Sequence, residues 1–486
     1  MIYRFLLVVL TLAIASVADA KEFRAGAFAI DVTPLELPVI VNGGMTERSL
    51  DKIEDRLHAR CLVLDDGVNQ IAIVIVDSCM MPRELLDEAK RLASEATKIP
   101  TENMLIAATH CHSAPSVFGC LGSDADEKYS RFLPVQIAKG IQQAQANLVP
   151  ARIGWAVGRD DKNVASRRWL MKPGVATTNG FSGKANDRVM MHPGPANPNA
   201  ISATGIIDAD VPVLAVQTKQ GEPLAVLTNY SMHYVGAPNL SADYFAVVCE
   251  KLTERIKPKQ LPQPFVAMHS NGTSGDQWLM DYTKPRREFD RFTVGADLAA
   301  AAHEAYQRIF YYDWVPLVMA EKKLELKVRL ASEEELAKAK ELCATFADRK
   351  PKTVPEVYAR EAVLLSQLPP TRELKLQALR IGELGIAAIP NEVFSSTGLM
   401  IKIESPLPTQ FTIELANGCD GYIAPPKQHK LGGYETWRAR SSCLEEQAEP
   451  KIRAAILELL NKVNDTRVNE LPVLTPVAEP LAPATK

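Results

Sequence analysis

The sequence predicts an α/β fold: a mixed sheet core flanked by helices, with hairpins and a metal site at the strand ends. Three observations predict it. Long apolar runs come in pairs joined by turn residues, apolar strands alternate with amphipathic segments, and polar residues able to bind a metal follow the strands directly.

The first hairpin is "HARCLVLDDGVNQIAIVIVDS", in which two apolar runs flank Asp66-Gly67. Residues 83–98 have helical periodicity, and "NMLIAATHCH" is a short buried strand. A strand–helix–strand crossover implies a parallel pair. His110 and His112 therefore fall just past the C-terminal end of a strand, where open α/β sheets place their ligands. Residues 128–148 are helical and lead into the strand "ARIGWAV". Residues 160–208, rich in Gly, Pro, Asn and Met, are expected to form a long surface excursion near a site, or a lid.

"VPVLAVQTKQGEPLAVLTNYSMHYVG" is a second hairpin and ends in His233. Helices are expected at 242–257 and 287–309, with the strand "PFVAMHSNGTSGDQW" between them. Amphipathic helices at 332–347 and 355–367 form a peripheral insert. "LKLQALRIGELGIAAIPNEVF" is a third hairpin, entering a helix after Asn391-Glu392, and "FTIELANGCDGYIAP" is the last core strand. No internal repeat is visible. The expected organisation is a signal peptide at 1–20, one catalytic α/β domain at 22–467 and a disordered Pro/Ala-rich tail at 468–486.

With 47% apolar and 23% charged residues, the chain has an ordinary globular composition. A net charge of −3 gives no electrostatic case for nucleic acid or for anionic membranes. The N-terminus has an early Arg4, an apolar run and Ala18-Asp19-Ala20, the pattern of a cleaved secretory signal. A secreted, periplasmic or cell-envelope location follows, with an uncleaved anchor as the alternative. The eight cysteines show no CxxC spacing; Cys419–Cys443 is the first pair expected if the chain is oxidised, and most others read as buried thiols.

Four strand ends carry the chemistry: His110 with His112, His233, Glu392 and Tyr422. Zinc suits imidazole nitrogen and carboxylate oxygen. Each residue also has a plainer reading. A histidine after a strand can be a hydrogen-bonded structural group, Glu392 can complement a helix dipole, and Tyr422 can be core. In His-x-His, alternate side chains of an extended segment point the same way.

"RAGAFAIDVTP", "THCHSAP" and "IPNEVF", in this order, resemble the neutral (neutral/alkaline, non-lysosomal) ceramidase family. "RLHARCLVLDDG" and "ANGCDGYIAPPKQHKLGGYE" extend the resemblance over residues 22 to 465, with no C-terminal immunoglobulin-like domain expected. The resemblance implies a zinc-dependent amidase that cleaves the N-acyl bond of a lipid-like or other N-acyl substrate, with room for peripheral membrane contact. It implies that His110, His233, Glu392 and Tyr422 hold Zn2+. His112 matches a residue beside the metal used in catalysis. Arg167 in "ASRRW" matches an active-site arginine, with Arg168 as its rival, and Tyr434 in "GGYE" matches a second active-site tyrosine.

One position departs from the pattern. The family carries an essential serine two residues beyond a Gly-Asp or Gly-Asn step; in "NGTSGDQW" that position is Trp278. Ser274, with Thr273 beside it, is the hydroxyl at hand. The implied chemistry is a zinc-activated water, at a pKa of about 7, with Arg167 or His112 on the oxyanion and His112 or a tyrosine protonating the leaving nitrogen. Two other readings use the same scaffold: a zinc hydrolase of a different amide or an ester, and a non-catalytic binding descendant.

Overall fold

A computed structural model of the chain describes residues 21–175 and 178–466. The expected signal peptide at 1–20 and tail at 468–486 lie outside the described residues. Among the described residues, no helix is long and apolar enough to cross a membrane.

The chain builds one plan three times. The first unit has the antiparallel strands Arg24–Asp31 and His58–Asp65, a hairpin to Gln70–Val76, the helix Arg83–Thr97, a parallel strand Met104–Ala108 and the helix Glu127–Ala146. The second repeats it with Val149–Arg159, Asp210–Thr218, Pro223–Tyr230, the helix Asp243–Ile256, the parallel strand Val266–Asn271 and the helix Arg291–Tyr306. The third uses Leu317–Lys327, Thr371–Ile381, Leu384–Ala388, the helix Ser395–Glu404, the parallel strand Thr409–Ile413 and the helix Ala448–Asp465. The repetition lies in the pairing pattern, which residue types alone do not carry; this corrects the reading of a chain without repeats.

Units one and two share a nine-stranded sheet, joined by a short pairing of Arg24 and Ala25 with Pro150 and Val149. Unit three forms a separate four-stranded sheet. The two sheets pack face to face. Along Gln70–Val76, Ile71, Ile73 and Ile75 point into the layer between the sheets and meet Leu379, Ile381, Ile386 and Phe411. Ala72, Val74 and Val76 point the other way, beneath the helices. Leu374 and Leu376 likewise face Ile452, Ile456 and Leu459 of the last helix. The result is four layers, helix–sheet–sheet–helix. Strands buried on both faces are apolar at every position, which is why "QIAIVIV" shows no alternation.

The predicted hairpins, crossovers and helices stand close to their expected bounds. The long helix starts at Arg291, where Asp290 caps it through Thr293 N, and not at residue 287. The segment after Thr409–Ile413 leaves the sheet and pairs again only at Tyr422–Ile423. Residues 160–208 are not simply a surface excursion: they contain short strands, and Arg167, Arg168 and Trp169 within them are buried. The strand Leu317–Lys327 and the helix Ala448–Asp465 were not predicted; both have a solvent face whose charges dilute the apolar signal. Cys419 and Cys443 are both free, as are all eight cysteines, so the expected disulfide is not formed.

In each unit the longest insertion stands between the first and second strands: 32–57, 160–209 and 328–370. The three insertions meet on the side where the parallel strand pairs end. The site lies there.

Candidate metal centre and active site

His110 follows the strand Met104–Ala108 and occupies the left-handed region at φ 72°. This conformation is costly for a residue with a Cβ and is held here by the hydrogen bond from His110 N to Ser78 O at 2.9 Å. The Nδ1 of His110 donates to Cys79 O at 2.8 Å, so its bare Nε2 points forward. His233 follows Pro223–Tyr230 and is turned the same way: its Nδ1 lies 3.2 Å from both the carbonyl oxygen and the Oγ of Ser274. The two Nε2 atoms face each other at 3.0 Å.

Glu392 comes from unit three. Glu392–Val393 pairs in parallel with Tyr422–Ile423, which puts Glu392 and Tyr422 side by side in register. Gly421 makes this possible. Its φ is 74°, and a Cβ there would lie 2.5 Å from the Ser441 backbone. The Oε2 of Glu392 lies 3.3 Å from His110 Nε2 and 3.7 Å from His233 Nε2. It is buried and has no hydrogen-bond partner.

Two bare nitrogens and an unpartnered carboxylate oxygen, all within 4.8 Å and all buried, are a group that could hold a cation by their chemistry. Three donors at these separations can surround one point at about 2 Å each, the bond length of zinc to nitrogen or oxygen. The residues therefore fit the metal. A second grouping, Cys79 with His110 and His112, shares His110. Cys79 Sγ, however, lies on the Nδ1 side of that ring, 3.8 Å from a nitrogen already engaged with a carbonyl.

His112 stands beside this cluster. Its Nε2 is 3.1 Å from His110 Nε2, and its ring stacks on Tyr234 with centroids 3.7 Å apart. Gly43, at φ 92°, approaches so closely that a Cβ would lie 2.4 Å from the His112 ring. Burial, then the neighbouring His110 and the cations Arg167 and Arg48, keep the His112 imidazole well below its ordinary pKa. Burial, with Arg167 next, does the same for His233. Both rings are neutral near pH 7, the form that ligates metal or accepts a proton.

Both arginines lie near Glu435, but their hydrogen bonds go to different groups. Arg167 donates through Nη2 to Tyr422 Oη at 2.9 Å and to Gly275 O at 2.8 Å. Burial works against its charge, but Tyr422, Glu435 and Glu392 outweigh it, and the guanidinium is held more firmly charged than usual. Arg168 points away. It donates to Glu435 Oε2 at 2.5 Å and to Gly432 O at 2.8 Å, holding the loop that carries Tyr434. Removing one partner of such a buried pair costs about 3–5 kcal/mol. Asp187 secures the same loop by accepting from Gly433 N at 2.9 Å and Trp437 Nε1 at 2.5 Å. The Tyr434 ring meets Tyr422 edge-on at 5.8 Å.

The structure thus brings His110, His112, His233 and Glu392 together, with Tyr422 in register beside Glu392, Arg167 bonded to Tyr422 and Tyr434 edge-on to Tyr422. Ser274 lies one layer back, behind His233, where its hydroxyl donates to Glu414 Oε1 at 2.6 Å. Thr273 is buried against Gly398. Trp278 donates from Nε1 to Tyr234 O at 2.9 Å and meets His192 and Phe289 edge-on. Sequence reading missed Tyr234, Glu414 and Glu435. Only Glu414 left a signal, as a carboxylate closing the apolar run "FTIE".

A cavity of about 950 Å³ opens beside Tyr434. Its wall is mainly apolar and comes from all three insertions: Met45 from the first, Phe181, Val189 and Met191 from the second, and Ala339, Leu342, Tyr358 and Ala362 from the third. The helices at 333–344 and 354–365 are therefore part of the cavity wall rather than a merely peripheral insert.

No protein-family model matches the chain. No curated protein matches it either. Among solved structures it is similar to the neutral ceramidase from Pseudomonas aeruginosa, with a TM-score of 0.69 and 16% identity over 94% of this chain and 77% of that one. It is similar also to a ceramidase complexed with C2, with a TM-score of 0.68 and 16% identity over 95% of this chain and 77% of that one. At this identity the likeness speaks for the fold alone, and the fold of this chain is that of the neutral ceramidases.

Proposed function

We propose that the protein is an exported zinc-dependent amidohydrolase that cleaves an N-acyl bond in a lipid-like substrate. The observation that carries the proposal is the convergence of His110 Nε2, His233 Nε2 and the unpartnered Glu392 Oε2, with Tyr422 in register beside Glu392. These four side chains would hold the metal. Bound there, zinc would supply Lewis acidity toward a carbonyl oxygen and would acidify water.

The chain's own residues supply the rest. Arg167, fixed by Tyr422 and Gly275, presents a buried positive charge for the developing oxyanion. His112, neutral and clamped between Gly43 and Tyr234, accepts a proton at Nε2 and passes it to the leaving nitrogen. Tyr434 keeps its hydroxyl proton, since burial pushes its pKa well up, and can donate a hydrogen bond to the substrate. The mainly apolar wall of the cavity next to Tyr434 suits a hydrocarbon chain.

One observation favours a second reading, in which the preferred substrate is a smaller amide or an ester. Trp278 stands where the resemblance places an essential serine. Its indole is fixed against Tyr234, which stacks on His112, so it fills space beside the reacting centre. A panel of N-acyl-sphingosines, short N-acyl amides and esters, run on the wild type and on Trp278→Ser, decides between the two. Preference for short substrates, with longer ones gained in the variant, is the result the second reading expects; robust hydrolysis of N-acyl-sphingosines by the wild type is the result the first expects. The loss of one good polar contact in a transition state is worth about 10²–10³ in rate. Robust wild-type hydrolysis of N-acyl-sphingosines, not raised in the variant, would remove this second reading. No hydrolysis of any substrate by the zinc-loaded protein would remove both.

A further inference from the structure

Glu414 lies outside the ligand set, yet it touches the supports of two ligands at once. It follows the strand Thr409–Ile413 directly and is fully buried. Its Oε1 accepts from Ser274 Oγ at 2.6 Å and from Asn271 Nδ2 at 2.9 Å. Its Oε2 accepts from Val393 N at 2.7 Å and from Ser274 N at 3.2 Å. All four donors are uncharged. Val393 is the residue after Glu392, and Ser274 is the residue against which His233 sets its Nδ1.

From this arrangement we infer that Glu414 is a positioning residue for the metal centre: through Ser274 it orients and polarises His233, and through Val393 N it fixes the backbone that aims Glu392. The inference rests on the metal reading given above.

The physical reason is the direction of the chain of donors. A hydroxyl that donates to a carboxyl oxygen becomes a stronger acceptor, so the Ser274 oxygen draws the Nδ1 proton of His233 and makes Nε2 a better ligand. This is the carboxylate–histidine–metal arrangement with a serine inserted. It also accounts for the placing of Ser274 behind His233 rather than in front of it. Burial pushes the Glu414 carboxyl well above its ordinary pKa, against the hydrogen bonds from Ser274 and Val393, because a carboxylate is costly to bury without a cation beside it. Four hydrogen bonds offset part of that cost, and a divalent ion one ligand away would offset more. Glu414 also ties the units together. Asn271 and Ser274 come from the second unit, and Val393 and Glu414 from the third, so the contact sets the distance between a histidine ligand and a carboxylate ligand that belong to different units.

Glu414→Gln keeps the shape and replaces one acceptor oxygen by a donor amide. Zinc affinity of the full-length protein, measured by competition with a chromophoric chelator, is expected to fall about 10- to 100-fold. The d–d absorption of the cobalt(II)-substituted protein should shift, since its histidine donor changes. Loss of packing alone would lower the melting temperature but leave that spectrum in place. Ser274→Ala removes only the bridging hydroxyl and should move affinity and spectrum in the same direction by less; it decides the matter if Glu414→Gln does not fold. Wild-type affinity and an unchanged cobalt spectrum in Glu414→Gln, or in Ser274→Ala if only that variant folds, would overturn the inference alone. A wild-type protein that binds neither zinc nor cobalt would overturn it together with the metal reading.

Discussion

Glu392→Ala should leave the purified protein without tightly bound metal and without measurable turnover, while the fold persists. Glu392 supplies the only carboxylate in the buried cluster whose ligand atoms all lie within 4.8 Å. Its Oε2 has no hydrogen bond to lose. Truncation therefore costs the contact with Tyr422 but little else of the hydrogen bonding that holds the chain together. The expected change in melting temperature of the metal-free protein is small. The catalytic loss is large, because the charge stabilisation a metal supplies is worth several kcal/mol, about 10³-fold in rate or more. Metal analysis of wild type and variant side by side, followed by turnover with added zinc, checks this. Wild-type zinc content in Glu392→Ala would show that Glu392 is not a ligand.

The second large effect is expected at His112, with a different signature. His112→Ala should lower turnover by about 10²–10⁴, the usual range for a positioned acid–base group, and leave zinc content close to that of wild type. His112 is 3.1 Å from His110 Nε2, but it is outside the grouping formed by His110, His233 and Glu392. Its ring is held by stacking on Tyr234 rather than by the other ligands. KM should change little if proton transfer is the function lost. Loss of zinc in this variant would instead make His112 a ligand and call for a new proton carrier.

How much of this could be read beforehand depends on the physical range of each signal. Hairpins with Asp66-Gly67 turns, the crossover helix at 83–97 and the placing of His110 past a strand end are local, and local periodicity announces them. His233 and Glu392 were legible for the same reason: each follows a strand within a few residues. The threefold plan was not legible, since it is a pattern of hydrogen-bonded neighbours and the three units share no visible residue repeat. Nor was the second sheet separable from the first, because a face covered by another sheet and a face covered by a helix are equally apolar. The choice between Arg167 and Arg168 needed three dimensions; adjacent residues point to opposite sides of a strand-like segment, Glu435 lies near both, and the hydrogen bonds, to Tyr422 for one and to Glu435 and Gly432 for the other, tell them apart. Cys419 and Cys443 show the limit of spacing arguments, since sequence distance does not bring two Sγ atoms together.

The central claim is that three units, repeated in plan and different in sequence, each send ligands to one metal ion. Anomalous scattering from crystals of the zinc-loaded protein, with data collected above and below the zinc edge, tests it most directly. The account predicts a single strong peak about 2 Å from His110 Nε2, His233 Nε2 and a Glu392 carboxylate oxygen, with the Tyr422 hydroxyl next to it. A peak elsewhere in the molecule, or none between these side chains in a protein that has been loaded with zinc, would contradict it.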